Sequence, residues 1–192
     1  MGHPETAEGL IDRFVQRVNQ SPRYRIREED VPLPLREGGA RAGLYYSWTI
    51  QRFPLVNWIE PLEKKLRRRL PPTYRSLVTR YLFPAFEAGP LFLLANTGRM
   101  LYHEMSVTMA RDKVFSPLLL RAGFAQFARP AGGGYDPICF DFNGRPAGGE
   151  APVIRLDHED LLYCSRPGRI ERLAPSFRVF VEEYLGDKMP AL

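Results

Sequence analysis

Phe124-Ala125-Gln126-Phe127-Ala128, Ile138-Cys139-Phe140-Asp141-Phe142 and Val153-Ile154-Arg155-Leu156 are three short apolar, β-branched and aromatic runs. Ala131-Gly132-Gly133-Gly134 separates the first two, and Asn143-Gly144-Arg145-Pro146-Ala147-Gly148-Gly149 the last two. Runs of four or five such residues between glycine-rich turns read as strands. Connections this short join neighbours that run in opposite directions, because a parallel pair needs a crossover of a dozen residues or more. An antiparallel sheet is therefore expected over residues 124–156.

Working outward, Leu91-Phe92-Leu93-Leu94 lies between Gly89-Pro90 and Asn96-Thr97-Gly98. It is long enough for a buried strand and too short for a helix. Pro61 stands in a first helical turn, with Trp58, Leu62, Leu66 and Leu70 following at intervals of four until Pro71-Pro72 stops the pattern,. A second helix is predicted from Pro72 to just before Pro84, with Tyr74, Leu77, Val78, Tyr81 and Leu82 on one face. Helix is also expected in part of residues 103–111 and around Pro117 to Arg121. Pro175-Ser176-Phe177 opens a closing helix in which Phe177, Phe180, Val181, Tyr184 and Leu185 share a face,. Trp58, Tyr74, Phe140 and Phe177 are assigned to the core. Helices, then strands, then a helix predict an α+β fold, a twisted and mainly antiparallel sheet flanked by helices.

The N-terminal part differs in character. Leu10, Phe14, Val15 and Val18 recur at helical spacing among charges, predicting an extra amphipathic helix that needs a surface to pack on,. Residues 20–43 carry Pro22, Pro32, Pro34 and Gly38-Gly39 among charges of both signs and read as a connector,. Leu44-Tyr45-Tyr46-Ser47-Trp48-Thr49-Ile50 then reads as a strand. The expected division is 1–43, helix and connector, and 44–192, one α+β domain, as suits a chain of 192 residues,.

Composition narrows the function classes. With 44% hydrophobic and 26% charged residues the chain is globular, which excludes global disorder,. No run approaches the roughly 18 apolar residues of a bilayer span. Met1-Gly2-His3-Pro4-Glu5 lacks a basic and then apolar leader. Two cysteines, Cys139 and Cys164, and three histidines build neither a disulfide framework nor an ordinary zinc cage,. The expectation is a cytoplasmic protein with no cofactor, no metal and no membrane partner.

Four features could carry chemistry. Cys139 and His158 are the one thiol and imidazole expected on neighbouring strands, but Cys139 sits between Ile138 and Phe140, where an inert buried thiol is usual, and no third residue orients the base. Gly132-Gly133-Gly134 lacks the Gly-Lys-Ser/Thr ending of a phosphate loop and reads as a hairpin connection. In a chain of net charge +5, residues 136–160 are acidic through Asp136, Asp141, Glu150, Asp157, Glu159 and Asp160; solvated turns explain them first, a partner-facing patch second and a metal site last. Residues 60–80 are basic through Lys64, Lys65, Arg67, Arg68, Arg69, Arg75 and Arg80. With Glu60 and Glu63 placed for i, i+4 pairs to Lys64 and Arg67, that run reads as a solvated helix face, and nucleic acid is an unlikely partner.

Three segments together resemble the SUKH superfamily, the Smi/Knr-type family of cell-wall regulators and bacterial immunity proteins. They are Leu70-Pro71-Pro72-Thr73-Tyr74-Arg75-Ser76-Leu77, the pair Phe140-Asp141 and Pro152-Val153-Ile154-Arg155-Leu156-Asp157-His158-Glu159 around a glycine turn, and Ala174-Pro175-Ser176-Phe177-Arg178-Val179-Phe180. The resemblance covers roughly residues 55–186. The family's glycine after the first helix pair is displaced into Phe86-Glu87-Ala88-Gly89-Pro90, and the first 40 or so residues have no counterpart. The resemblance implies a non-enzymatic protein-binding domain, an immunity protein that binds and neutralises a toxin domain. An intracellular scaffold binding a regulatory protein is the alternative, followed by a nucleic-acid-associated protein using residues 64–69. Tyr135, Asp136, Asp141, Asp157 and Glu159 are the expected partner contacts, on the sheet face or edge and its turns.

Overall fold

The computed structural model describes residues 5–20, 48–53, 59–96, 102–144 and 149–188, with the backbone pairing of 25–27, 41–42 and 45–47. In chain order the elements are α1 (Ala7–Asn19), β1 (Arg25–Arg27), β2 (Arg41–Ala42), β3 (Tyr45–Ser47), β4 (Gln51–Arg52), α2 (Ile59–Leu66) and α3 (Pro72–Arg80). Then come β5 (Tyr81–Leu82), β6 (Phe86–Ala88), β7 (Leu91–Leu93), α4 (Tyr102–Ala110), α5 (Phe115–Arg121) and β8 (Phe124–Pro130). The chain closes with β9 (Ile138–Asp141), β10 (Val153–Leu156), α6 (His158–Cys164), β11 (Ile170–Ala174) and α7 (Phe177–Leu185). The fold is α+β. The connector predicted for residues 20–43 falls mostly outside the described residues, as does Trp58.

Strands β6 to β11 form a six-stranded antiparallel meander in the order β11-β10-β9-β8-β7-β6. The three runs that predicted the sheet are its centre, with Ala125 opposite Phe140 and Phe140 opposite Val153. These strands read as nearly unbroken apolar runs because both faces are covered. Ala125, Phe127, Ile138, Phe140 and Val153 point into the larger core, with α1, α3, α4 and α7. Phe124, Cys139, Ile154 and Leu156, on the alternate positions, point into a smaller cluster with Leu119 of α5 and Leu161 of α6,. Tyr74, Phe127, Phe140 and Phe177 interlock in the larger core. Phe127 and Phe140 stack at 3.9 Å, and Tyr74 meets Phe177 edge-on at 5.2 Å. Tyr74, Phe140 and Phe177 are fully buried, where the sequence placed them.

The helix boundaries depart from the periodic pattern for local reasons. α2 ends at Leu66 because Arg67 is left-handed, φ 53°. Leu70 is buried but belongs to the turn, where its amide donates to the Glu63 carboxylate at 3.0 Å. Glu63 also accepts from Arg75 Nε at 3.2 Å, so the expected Glu63–Arg67 pair gives way to an inward carboxylate. α3 ends at Arg80; Tyr81 and Leu82 leave the helix to pair with Arg52 and Gln51. Buried Asn96 takes up the carbonyls this frees, donating to Val78 at 2.9 Å and Tyr81 at 2.7 Å. At the other end of α3, Glu150 accepts from the Thr73 amide and hydroxyl.

α1 finds the surface its pattern requires. Thr6 caps it, and Leu10, Ile11, Phe14, Val15 and Val18 are buried in the same core as the sheet. The Phe14 ring lies 6.5 Å from Phe86 and 5.3 Å from Tyr184. No described helix is long and apolar enough to cross a membrane.

Candidate functional site at the β10–α6–β11 end of the sheet

Beyond β10 the chain turns at Asp157, whose carboxylate accepts from the amides of Glu159 at 2.8 Å and Asp160 at 3.3 Å. That is an N-cap, and it starts α6 with acidic residues against the positive end of the helix,. Asp160 in turn accepts from the Arg169 amide at 3.1 Å. A Cβ on Gly168 would stand 1.9 Å from the same carboxylate, so only glycine lets this loop close against the helix,. The closed loop leads into β11, an edge strand of the six-stranded sheet.

Tyr135 and Asp136 approach from the other side, just ahead of β9. Asp136 Oδ1 accepts from the His158 amide at 3.2 Å and contacts His158 Nδ1 at 2.7 Å. The Asp136 hydrogen bond raises the pKa of the imidazole above its ordinary 6.5, against desolvation; the charges of Asp136, Glu159 and Asp157 add to the rise. The Tyr135 ring lies 5.9 Å from the imidazole. Asp136 and Asp157 border a cavity of about 90 Å³ with Arg155, Arg169 and Glu171. Arg155 and Glu171 are opposed across β10 and β11 and form an ion pair at 2.5 Å.

Asp136, Asp157 and His158 place one ligand atom each within 4.8 Å of one another. A divalent cation held there would compete with the proton that Asp136 and His158 share. The chemistry present without a cation is a charge-assisted hydrogen bond on a carboxylate-rich rim.

Exposed apolar side chains lie on the segments that build this end. Six large apolar side chains are exposed among the described residues, and four of them, Tyr135, Leu162, Tyr163 and Ile170, belong to residues 135–170. Tyr163 is 84% exposed and Tyr135 75%.

The structure thus brings Tyr135, Asp136, Asp157 and Glu159 to one end of the sheet and leaves Asp141 away from them. Asp141 closes the far end of β9, where its carboxylate accepts from the amide and side chain of Asn143. Leu162, Tyr163 and Ile170 complete the site and escape the sequence reading, which weighed His158 only as a base for Cys139; the structure puts His158 at the start of α6. Their signal was a capped start, Asp157 followed by two acids, ahead of Leu161-Leu162-Tyr163.

The other candidates fall elsewhere. Cys139 has no exposed surface, and burial pushes its thiol pKa well up, so it presents no thiolate,. Gly132 and Gly133, at φ 83° and 96°, lie in the β8–β9 connection,. Lys64, Lys65, Arg67 and Arg68 are exposed and form no ion pair among the described residues. No family model matches the chain, and no curated protein matches it.

Proposed function

We propose that this chain is a non-enzymatic protein-binding domain of the SUKH type, acting inside the cell as an immunity protein that binds and neutralises a toxin domain. The observation that carries the binding role is the exposure of Tyr135, Leu162, Tyr163 and Ile170 on the segments that build this end of the sheet, which also carry Asp136, Asp157 and Glu159. Tyrosines are enriched among interface hot spots, and a polar rim around an apolar centre is the usual anatomy of an interface. Two tyrosines supply contact area with few rotatable bonds, and the carboxylates favour a partner that is basic where it docks. The toxin itself is argued from the motif resemblance of residues 70–77, 140–159 and 174–180.

The test is isolation of the tagged chain from its own cells after nuclease treatment, wild type beside Leu162→Asp and Tyr163→Asp. A stoichiometric toxin fragment on the wild type, absent from both variants, is the expected result. A regulatory protein lost in the same way would make the chain a scaffold. A partner retained by both variants would place the interface elsewhere.

A further inference from the structure

The turn between α2 and α3 concentrates the positive charge of the chain. Lys64 and Lys65 stand in the last turn of α2, and Arg67, Arg68 and Arg69 follow it. All five are exposed. Lys64, Lys65, Arg67 and Arg68 form no ion pair among the described residues. The sequence places Glu63 to neutralise Arg67, but the fold turns that carboxylate inward to the Leu70 amide and Arg75. Glu60 is then the one exposed carboxylate between residues 59 and 80.

The backbone of the turn adds a second observation. Arg67 lies just past the end of α2 at φ 53°. Its amide donates to the Lys64 carbonyl and the Arg68 amide to the Glu63 carbonyl, both at 3.2 Å, the two crossed bonds of a Schellman cap,. Glycine is usual at that position, because a side chain in the left-handed region costs conformational free energy that glycine avoids. Lys64 and Lys65 already complement the negative end of the helix,. Helix stability therefore does not account for a further cation at Arg67, whereas an external polyanion does.

We propose that this turn holds the phosphate backbone of a nucleic-acid strand without reading its bases. A dense cation cluster suits repeated phosphates, and arginine forks bind each one bidentately. Ile59, Leu62, Leu66, Leu70, Tyr74 and Leu77 are all buried. The surface thus has no aromatic ring to stack on a base, no apolar anchor for a protein partner and no apolar face to enter a bilayer. It shares no residue with the acidic rim at the β10–α6–β11 end, so this contact stands apart from the protein-binding role.

The test is fluorescence anisotropy of the full chain with a labelled single-stranded oligonucleotide of mixed sequence, titrated across salt. About four phosphate contacts give a rise of log Kd with log salt at a slope of about 3, whatever the base composition. Arg67→Gly removes one contact and relieves the left-handed backbone. It should lower the slope by about one while melting no lower than the wild type, so its weaker binding cannot be ascribed to unfolding. Lys64→Gln combined with Lys65→Gln should lower the slope by about two. The proposal is overturned if the oligonucleotide does not bind at low salt, or if Arg67→Gly keeps the wild-type affinity and slope. It is equally overturned if phosphatidylserine vesicles bind more tightly than the oligonucleotide at equal anionic charge, since the turn would then be a membrane contact.

Discussion

Asn96 shows how much one side chain can decide. It has no exposed surface, its backbone exchanges two 2.7 Å hydrogen bonds with Phe83, and its carboxamide satisfies the carbonyls of Val78 and Tyr81. Asn96→Ala leaves both carbonyls buried without a donor, and should lower stability by about 2–4 kcal/mol in urea denaturation. Asn96→Asp should be no better, since a carboxylate has nothing to donate; a loss below about 1 kcal/mol for either variant would contradict this account. His158 decides a pH dependence instead. Its folded pKa is raised by Asp136, so the stability this pair contributes is fully present below the ordinary value of 6.5 and is lost as pH rises through the higher folded value. The melting temperature should therefore fall on going from mildly acidic to mildly alkaline buffer, and Asp136→Asn should flatten that fall. An unchanged pH profile in the variant would remove the pair as its cause. Asp12 works in the opposite sense. Burial raises its pKa, but hydrogen bonds from Tyr81 and Arg80 outweigh that and hold it below 3.8, while burial and Asp12 push Tyr81 up to about 12. The Asp12 contribution is present above 3.8 and disappears in acid,.

At the scale of elements, Asp157 carries two roles that substitution separates. As the N-cap of α6 it needs a side-chain oxygen; as part of the acidic rim it needs a charge. Asp157→Ala should cost about 1 kcal/mol, whereas Asp157→Ser keeps a cap and should cost under about 0.5 kcal/mol. Both lose the carboxylate, so both should weaken a basic partner alike, measured by calorimetry beside denaturation. Equal stability losses would deny the cap. α6 itself was hidden from the periodicity because it has seven residues and buries Leu161 alone, too little for a helical stripe,. β11 was hidden because Ile-Glu-Arg-Leu-Ala at a sheet edge buries only Ala174. The central strands were legible because both of their faces are covered, and apolar runs between glycines have few other readings. Tyr81 and Leu82 continued the helical stripe of α3 and were misread for that reason. Strand pairing with Gln51 and Arg52 and the Asn96 hydrogen bonds are tertiary, and no local pattern announces them.

For the molecule as a whole, the site was legible to the extent that one hairpin folds it. Tyr135 and Asp136 lie before β9 and Asp157 after β10, so antiparallel pairing alone brings them to the same end and sends Asp141 to the other. The anchors Leu162, Tyr163 and Ile170 depend on α6 and the glycine-closed loop, and so were not legible. The place of α1 follows from the same logic of burial. Its pattern promised an amphipathic helix, and the structure inserts five of its apolar side chains into the main core, with Phe14 between Phe86 and Tyr184. Burying each contributes about 1.5–3 kcal/mol, or about 7–15 kcal/mol together, as large as the whole net stability of a typical domain. α1 also holds α3 and α7 from outside, through Arg80 to Asp12 and Arg178 to the Glu5 carbonyl. A chain beginning after Gln20 should therefore lose its cooperative thermal transition and the amide dispersion of the entire sheet. Phe14→Ala, a smaller insult to the same contact, should cost about 3–5 kcal/mol and still leave a folded state to measure. A truncated chain that melts cooperatively within a few degrees of the full one would make α1 an appendage.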